Sequence, residues 1–225
     1  MADNYYDATG VLILDRVTPV IFALFGAYNL DETFPGDGQA YIARISESND
    51  PQWDDVREGL AGLIADLGLD LPDQEDDPPV ASLLPVLAAH FGCERDEELD
   101  RLIRHTDFED AADLPTLFLL ATRFDDGHQL AALVFEGCWH CSKPRLFEFG
   151  GDACFLSREV RLDRNTRQTT RLGRELRDAV RDADVERATC LIMEETVDLL
   201  SAIRDDGFHR QVLRRLTECL TACLA

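Results

Sequence analysis

The stretch from Gly137 to Gly151 holds the residue types best suited to chemistry. Cys138 and Cys141 have the spacing of a redox dithiol or of half a metal site, and His140 lies between them. A redox dithiol needs its first cysteine at a helix N-terminus, where the helix dipole stabilises the thiolate. Here Ser-Lys-Pro follows the second cysteine and leads into an apolar, strand-like pattern. The sequence therefore argues against a redox enzyme.

A zinc site is the second interpretation of this stretch. Structural zinc takes four ligands, and a lone Cys-x-x-Cys supplies only half of them. The full set would be His90, Cys93, Cys138 and Cys141, with His128, His140 or Cys154 as substitutes. The two pairs show no local clustering of the zinc-ribbon kind. We therefore expect no cofactor, with zinc as the alternative.

The third interpretation is structural. Successive side chains of a β-strand point to opposite faces, so Cys138 and His140 would share one face, and Trp139 and Cys141 the other. Residues 143–144, Lys-Pro, would then end the strand and start its neighbour. This pattern is typical of a β-hairpin, which is the interpretation we favour.

An enzyme would be centred on this hairpin and on the turn at 125–128. His128 or His140 would be the base, Asp126 would orient it, and Arg145 would hold an anion. However, the sequence has no P-loop, dinucleotide fingerprint, nucleophile elbow or zinc-protease motif. We favour a non-enzymatic protein and keep a metal-binding or phosphate-handling enzyme as the alternative.

Charge is the dominant feature of the composition, with 44 acidic against 22 basic residues and a net charge of −22. Residues 1–120 hold 26 acids and 6 bases, hence −20, and residues 121–225 hold 18 acids and 16 bases, hence −2. Such a field repels nucleic acid and anionic membranes and attracts basic surfaces. We expect a basic protein partner, no direct nucleic-acid contact and no membrane contact.

The carboxylates expected to bind this partner all lie in the first half of the chain. They are Asp54, Asp55, Glu58, Asp73, Glu75, Asp76, Asp77, Glu97 and Glu98. Solubility or genome composition explains the same charge without a partner, because a chain with 21 Arg and one Lys is also typical of salt-adapted or high-GC genomes. A third hypothesis is an oligomeric module, in which the Arg-rich helices after residue 158 pack on an acidic face of another subunit.

The hydrophobic patterns predict an α+β fold, in which antiparallel hairpin and meander strands pack against helices and the C-terminal third is helical. Residues 1–112 would combine a strand hairpin with helices, and residues 113–225 a β-meander with the C-terminal helices, within one compact unit. Strands are predicted at 11–27, 39–46, 114–124, 129–140, 143–149 and 153–160. Helices are predicted at 51–67, with Asp50 as N-cap, Pro51 as first residue and Gly68 as terminator, and at 80–91, 95–104, 166–183, 185–203 (capped by Asp184) and 208–224.

The compartment is predicted from the N-terminus and the cysteines. The first residues are acidic, unlike a signal peptide, and no apolar run is long enough to cross a bilayer. Seven cysteines, an odd number without a regular framework, are typical of reduced thiols. We expect a cytoplasmic protein.

Four segments resemble acidic accessory proteins encoded on bacterial plasmids and integrative conjugative elements. They are 11–19 (VLILDRVTP), 47–55 (ESNDPQWDD), 125–128 (DDGH) and 138–145 (CWHCSKPR). The resemblance carries no catalytic residue to this chain. It implies a mobile-element context, in which small acidic proteins disarm host nucleic-acid-binding machinery by presenting DNA-like charge.

Overall fold

A six-stranded antiparallel sheet, in the order β2–β3–β1–β4–β5–β6, forms the centre of the computed structural model. The structure describes residues 4–71, 78–143, 145–146 and 148–223. The strands are β1 (Asn4–Ile13), β2 (Asp31–Pro35), β3 (Gln39–Arg44), β4 (Ala132–Cys141), β5 (Gly150–Ser157) and β6 (Arg161–Asn165). Because β1 pairs with both β3 and β4, the sheet takes strands from residues 1–112 and from residues 113–225.

Helices account for about half of the chain and confirm the predicted α+β class and helical C-terminal third. They are α1 (Pro19–Phe25), α2 (Trp53–Asp66), α3 (Val80–Phe91), α4 (Glu97–His105), α5 (Leu114–Arg123), α6 (Thr166–Arg181), α7 (Val185–Ser201) and α8 (Asp206–Cys223). Asp184 caps α7, and Gly68 follows α2 with φ of +67°, as the sequence predicts. Within the described ranges, each helix is too short or too polar to cross a membrane.

The core joins one face of the sheet to the helices that precede β4. Leu12 of β1 lies opposite Ala40 of β3 and Leu133 of β4, and all three are buried. The helices add fully buried leucines, among them Leu24, Leu60, Leu84 and Leu120. Since alternate strand residues share a face, this register decides which side chains of β4 point into the core.

Helix α1 replaces much of the strand predicted at 11–27. Five of its seven residues are buried, so the sequence shows a continuous apolar run without a helical period. A buried helix and a buried strand look alike in such a run. The distinguishing signal is Thr18 before Pro19, an N-cap residue followed by a first-turn proline.

Helix α5 likewise replaces the strand predicted at 114–124. The Asp113 carboxylate accepts a hydrogen bond from a first-turn backbone N–H at 2.9 Å, and Pro115 occupies the same turn. An aspartate cap followed by proline favours a helix. As a result, residues 125–128 connect a helix to a strand and are not the turn of a hairpin.

Helix α2 begins later than predicted. Gln52 is its N-cap, in place of Asp50, and the Gln52 backbone N–H donates to the Asp55 carboxylate at 2.8 Å. An isolated β-bridge holds Gln52 in extended conformation, which excludes Pro51 from the helix. Asp50 instead lies 2.6 Å from the guanidinium of Arg44.

The β4–β5 hairpin has a longer loop than predicted. Residues 142–149 connect the two strands, and the described residues of the predicted strand 143–149 form no strand. Gly150 and Gly151, predicted as a turn, lie inside β5 and pair with β4. The hairpin interpretation is thus confirmed, while its turn lies earlier in the chain.

Candidate functional site

The Cys138–Cys141 stretch forms the end of strand β4. Cys138 lies opposite Asp7 of β1, and Cys141 lies opposite Asn4. Residues three apart in a strand point to opposite faces, and Cys138 is accordingly exposed while Cys141 is buried. The alternation predicted from the sequence is observed, so the two thiols do not face one another as a redox dithiol would.

The candidate zinc ligands lie on separate elements. In the parts of the chain that the structure describes, no three His, Cys, Asp or Glu side chains are grouped closely enough to hold a metal ion. Cys93 packs against the core after α3, and burial raises the pKa of its thiol, which disfavours the thiolate that zinc binds. His90 is exposed and stands edge-on to Phe91, with ring centroids 4.9 Å apart.

His128 is fully buried, and both of its ring nitrogens are bonded inside the chain. The backbone N–H of Leu130 donates to Nδ1 at 2.8 Å, so Nε2 carries the proton and donates to the carbonyl of Ala121 at 3.0 Å. Ala121 lies in the last turn of α5, where carbonyl groups lack helical partners. The structure therefore gives His128 a structural role in place of the predicted general base.

Asp126 caps α1 and does not orient His128. Its Oδ1 accepts the hydroxyl of Thr18 at 2.5 Å, and its Oδ2 accepts the backbone N–H of Val20 at 3.1 Å. A carboxylate at this position satisfies free N–H groups and interacts favourably with the helix dipole. The turn before β4 is thereby fixed to the start of α1.

Replacing Asp126 by alanine is expected to lower the free energy of unfolding by about 1–2 kcal/mol, because α1 loses its cap. Asp15→Ala is the matched control, since Asp15 is exposed and the same charge is removed. Urea unfolding followed by circular dichroism measures both. Equal losses in the two variants would show that charge, and not the cap, is responsible.

The remaining enzyme candidates do not converge with the 125–128 turn. That turn precedes β4, whereas His140 lies near the opposite end of the strand, about 25 Å away at the usual rise per residue. His140 stacks on Tyr5, with ring centroids 5.2 Å apart. The Arg145 guanidinium lies 3.8 Å from the carboxylate of Glu148 in the β4–β5 loop. No joint acid–base site follows from this arrangement.

A cleft of about 360 Å³, not indicated by the sequence, is lined by residues of β1, β3, β5 and β6 and by residues 111–115. The Tyr6 hydroxyl donates to Asp152 at 2.9 Å, and the guanidinium of Arg44 lies 5.5 Å from the centre of the Tyr6 ring. Burial, followed by the Asp152 contact, raises the pKa of Tyr6, and burial raises the pKa of Cys154 to about 11. Both groups are thus neutral near pH 7, so neither is an activated nucleophile.

The carboxylates predicted to bind a partner lie on different elements. Asp54, Asp55 and Glu58 are exposed in the first turns of α2, and Glu97 is exposed at the start of α4. Asp73, Glu75, Asp76 and Asp77 lie outside the described residues. The structure therefore describes two separate acidic regions, one at the start of α2 and one at the start of α4.

Glu98 of α4 is engaged within the chain. Its carboxylate lies 2.8 Å from the guanidinium of Arg123 and 3.2 Å from that of Arg204. Arg123 also lies 2.6 Å from Asp96. This network links α4 and α5 to the segment after α7, so Glu98 is not a free carboxylate for a partner.

A shallow groove of about 460 Å³ runs between α1 and α2. On α1 its wall carries Phe22, which is 66% exposed. On α2 its rim carries the exposed carboxylates of Asp55, Glu58 and Asp66. Arg57 lies 3.9 Å from Glu58, and within the described chain Asp66 has no ion-pair partner. The groove thus combines an exposed aromatic ring with an acidic edge.

Two glycines of α2 shape this groove. A Cβ at Gly59 would lie 2.4 Å from the carbonyl oxygen of Ala23, so glycine permits the close approach of α1 and α2. A Cβ at Gly62, almost one turn later, would meet no atom within 4 Å. Gly59 therefore sets the distance between the helices, and Gly62 leaves the groove open.

The sequence indicates Asp55 and Glu58 through their charge, but neither the exposure of Phe22 nor the role of the glycines. The strand predicted at 11–27 includes the residues of α1, so the sequence does not indicate the helix that forms the other wall of the groove. No protein-family model, curated protein or solved structure matches this chain. The geometry of the groove and the charge of the chain are therefore the basis for a functional proposal.

Proposed function

We propose that this chain is a non-enzymatic binding protein whose α1–α2 groove receives a basic, amphipathic segment of a partner protein. The observation that carries the proposal is the exposed ring of Phe22 beside the carboxylates of Asp55, Glu58 and Asp66. An apolar side of the partner segment would bury Phe22, and Lys or Arg at its edges would meet the carboxylates.

The charge of the first half supports a basic partner. Residues 1–120 carry a formal charge of −20, which raises the local concentration of cationic proteins and speeds their association. Nucleic-acid-binding proteins present cationic surfaces suited to phosphate, and a carboxylate array competes for them. The resemblance to mobile-element accessory proteins supports a host protein of this class, bound in the cytoplasm by mimicry of DNA charge.

The test uses a synthetic helical peptide with leucines on one face and arginines on both flanks. The fluorescence anisotropy of this peptide, titrated with the protein, should show binding that weakens steeply with added salt. The double variant Glu58→Lys/Asp66→Lys should weaken binding by at least about tenfold, because attraction at the rim becomes repulsion. Phe22→Ser should weaken binding at both low and high salt, since it removes apolar contact.

Glu94→Lys/Asp107→Lys is the matched control, because it makes the same change of net charge at exposed positions outside the groove. If both double variants weaken binding equally, only the overall charge attracts the peptide and the groove is not the site. Capture from nuclease-treated bacterial lysate, with wild type and both variants in parallel, then identifies partners whose recovery depends on the groove carboxylates.

A further inference from the structure

The C-terminal helical hairpin, formed by α7 and α8, exposes a large apolar surface. Eight of the fifteen exposed large apolar side chains in the described chain belong to these two helices. They are Val185, Ile192, Met193, Val197, Leu199, Phe208, Leu213 and Leu220. Exposed apolar side chains that are concentrated in one part of a soluble protein usually mark an interface.

The spacing of these side chains matches a helix-packing seam. Val185, Ile192 and Leu199 recur every seven residues along α7 and are 77%, 57% and 57% exposed. Leu213 and Leu220 repeat the spacing on α8. A seven-residue repeat keeps side chains on one line of a helix, as in coiled coils and four-helix bundles.

The rest of the described chain does not cover this seam. α8 has no fully buried side chain among its described residues, and its inner side chains, Val212 and Leu216, are only half-buried. α8 packs mainly on α7, and α7 packs mainly on α6. Burying these exposed Leu and Ile side chains in an interface removes their apolar area from water, so an uncovered hairpin is strongly disposed to associate.

The charges of the hairpin fit a second copy of the same hairpin. α7 carries four acids and one Arg, hence −3, and α8 carries three Arg and two acids, hence +1. In an isologous interface the same patch faces itself across a two-fold axis, and an arrangement with α7 of one copy against α8 of the other pairs the acidic helix with the basic one. Asp198 and Arg210, which flank the seam positions Leu199 and Leu213, would then face one another.

We propose that α7 and α8 pair with the same hairpin of a second copy and form a four-helix bundle. The near-neutral second half of the chain, with its charge of −2, allows two copies to approach there. The acid-rich first half, including the α1–α2 groove, contributes nothing to this interface. The proposal is thus independent of the proposed groove function, and the homodimer would present two grooves.

Light scattering coupled to size-exclusion chromatography is the test, with the full-length chain over a range of concentrations. The wild type should show twice the mass of one chain. Ile192→Glu/Leu213→Glu should shift it to the single-chain mass, with a dissociation constant weaker by at least about 100-fold. Both positions are exposed, so the variant should keep the circular dichroism spectrum of the wild type. Leu146→Glu, at an exposed position outside the hairpin, should remain dimeric.

A charge exchange tests the homotypic arrangement. Arg210→Glu should weaken the dimer, and adding Asp198→Arg in the same chain should restore it. A wild type that stays at the single-chain mass at every concentration would overturn the proposal. So would retention of the double mass by the glutamate variant, or a complex in which a different protein occupies the hairpin.

Discussion

Replacing His128 by leucine is expected to lower the free energy of unfolding by about 2–5 kcal/mol. The imidazole accepts the N–H of Leu130 and donates to the carbonyl of Ala121, and the site is fully buried. Leucine fills a similar space but leaves both backbone groups without partners. A buried, unsatisfied N–H or C=O costs about 1–3 kcal/mol, so the two losses together give the expected magnitude.

Urea unfolding monitored by circular dichroism measures the effect. His105→Leu is the control, because His105 is exposed in the last turn of α4 and its loss should change stability by less than about 0.5 kcal/mol. Similar stabilities of the two variants would contradict the structural role of His128. Such a result would also leave the imidazole of His128 available as a general base.

Replacing each of the two glycines of α2 by alanine is expected to change the free energy of unfolding in opposite directions. Gly59→Ala should destabilise the protein by about 1–3 kcal/mol, because the new Cβ would lie 2.4 Å from the carbonyl oxygen of Ala23 and force α1 and α2 apart. Gly62→Ala should stabilise it by up to about 1 kcal/mol, since alanine is the better helix former and no atom lies within 4 Å of the new Cβ.

The two variants control for each other, because they make the same chemical change in one helix. Midpoints of thermal and urea unfolding should move in opposite directions. A stabilisation by Gly59→Ala equal to that of Gly62→Ala would mean that α1 and α2 are not in contact at this point. Helix α1 would then not form the second wall of the groove.

Much of the fold follows from local patterns in the sequence. The helices α6, α7 and α8 are amphipathic or well capped, and the antiparallel strands β3 and β4 show clear apolar periods, so their prediction needed no tertiary information. The sequence does not reveal α1 and α5 as helices because most of their residues are buried, and the exposed residues of α1, Pro19 and Phe22, are themselves apolar. Without a polar face, a helical period is not recognised.

The candidate site was predictable only in part, for the same reason. Asp55 and Glu58 were found because charge can be read directly from the sequence. Phe22 was not, since its exposure depends on which face of α1 meets the core. The link between His128 and α5, and that between Asp126 and α1, are tertiary hydrogen bonds. A sequence motif shows which side chains are present but not which distant backbone group will use them.

The pairing of β1 with β4 has a consequence for synthesis on the ribosome. Asn4 of β1 pairs with Cys141 of β4, so β1 leaves the ribosome long before β4. Until then, one edge of β1 has free N–H and C=O groups that invite pairing with other nascent chains. Contacts so distant in sequence also slow folding. The charge of −20 on residues 1–120 repels other copies during this interval. We therefore expect the acidity of residues 1–120 to limit such pairing while the chain is being made.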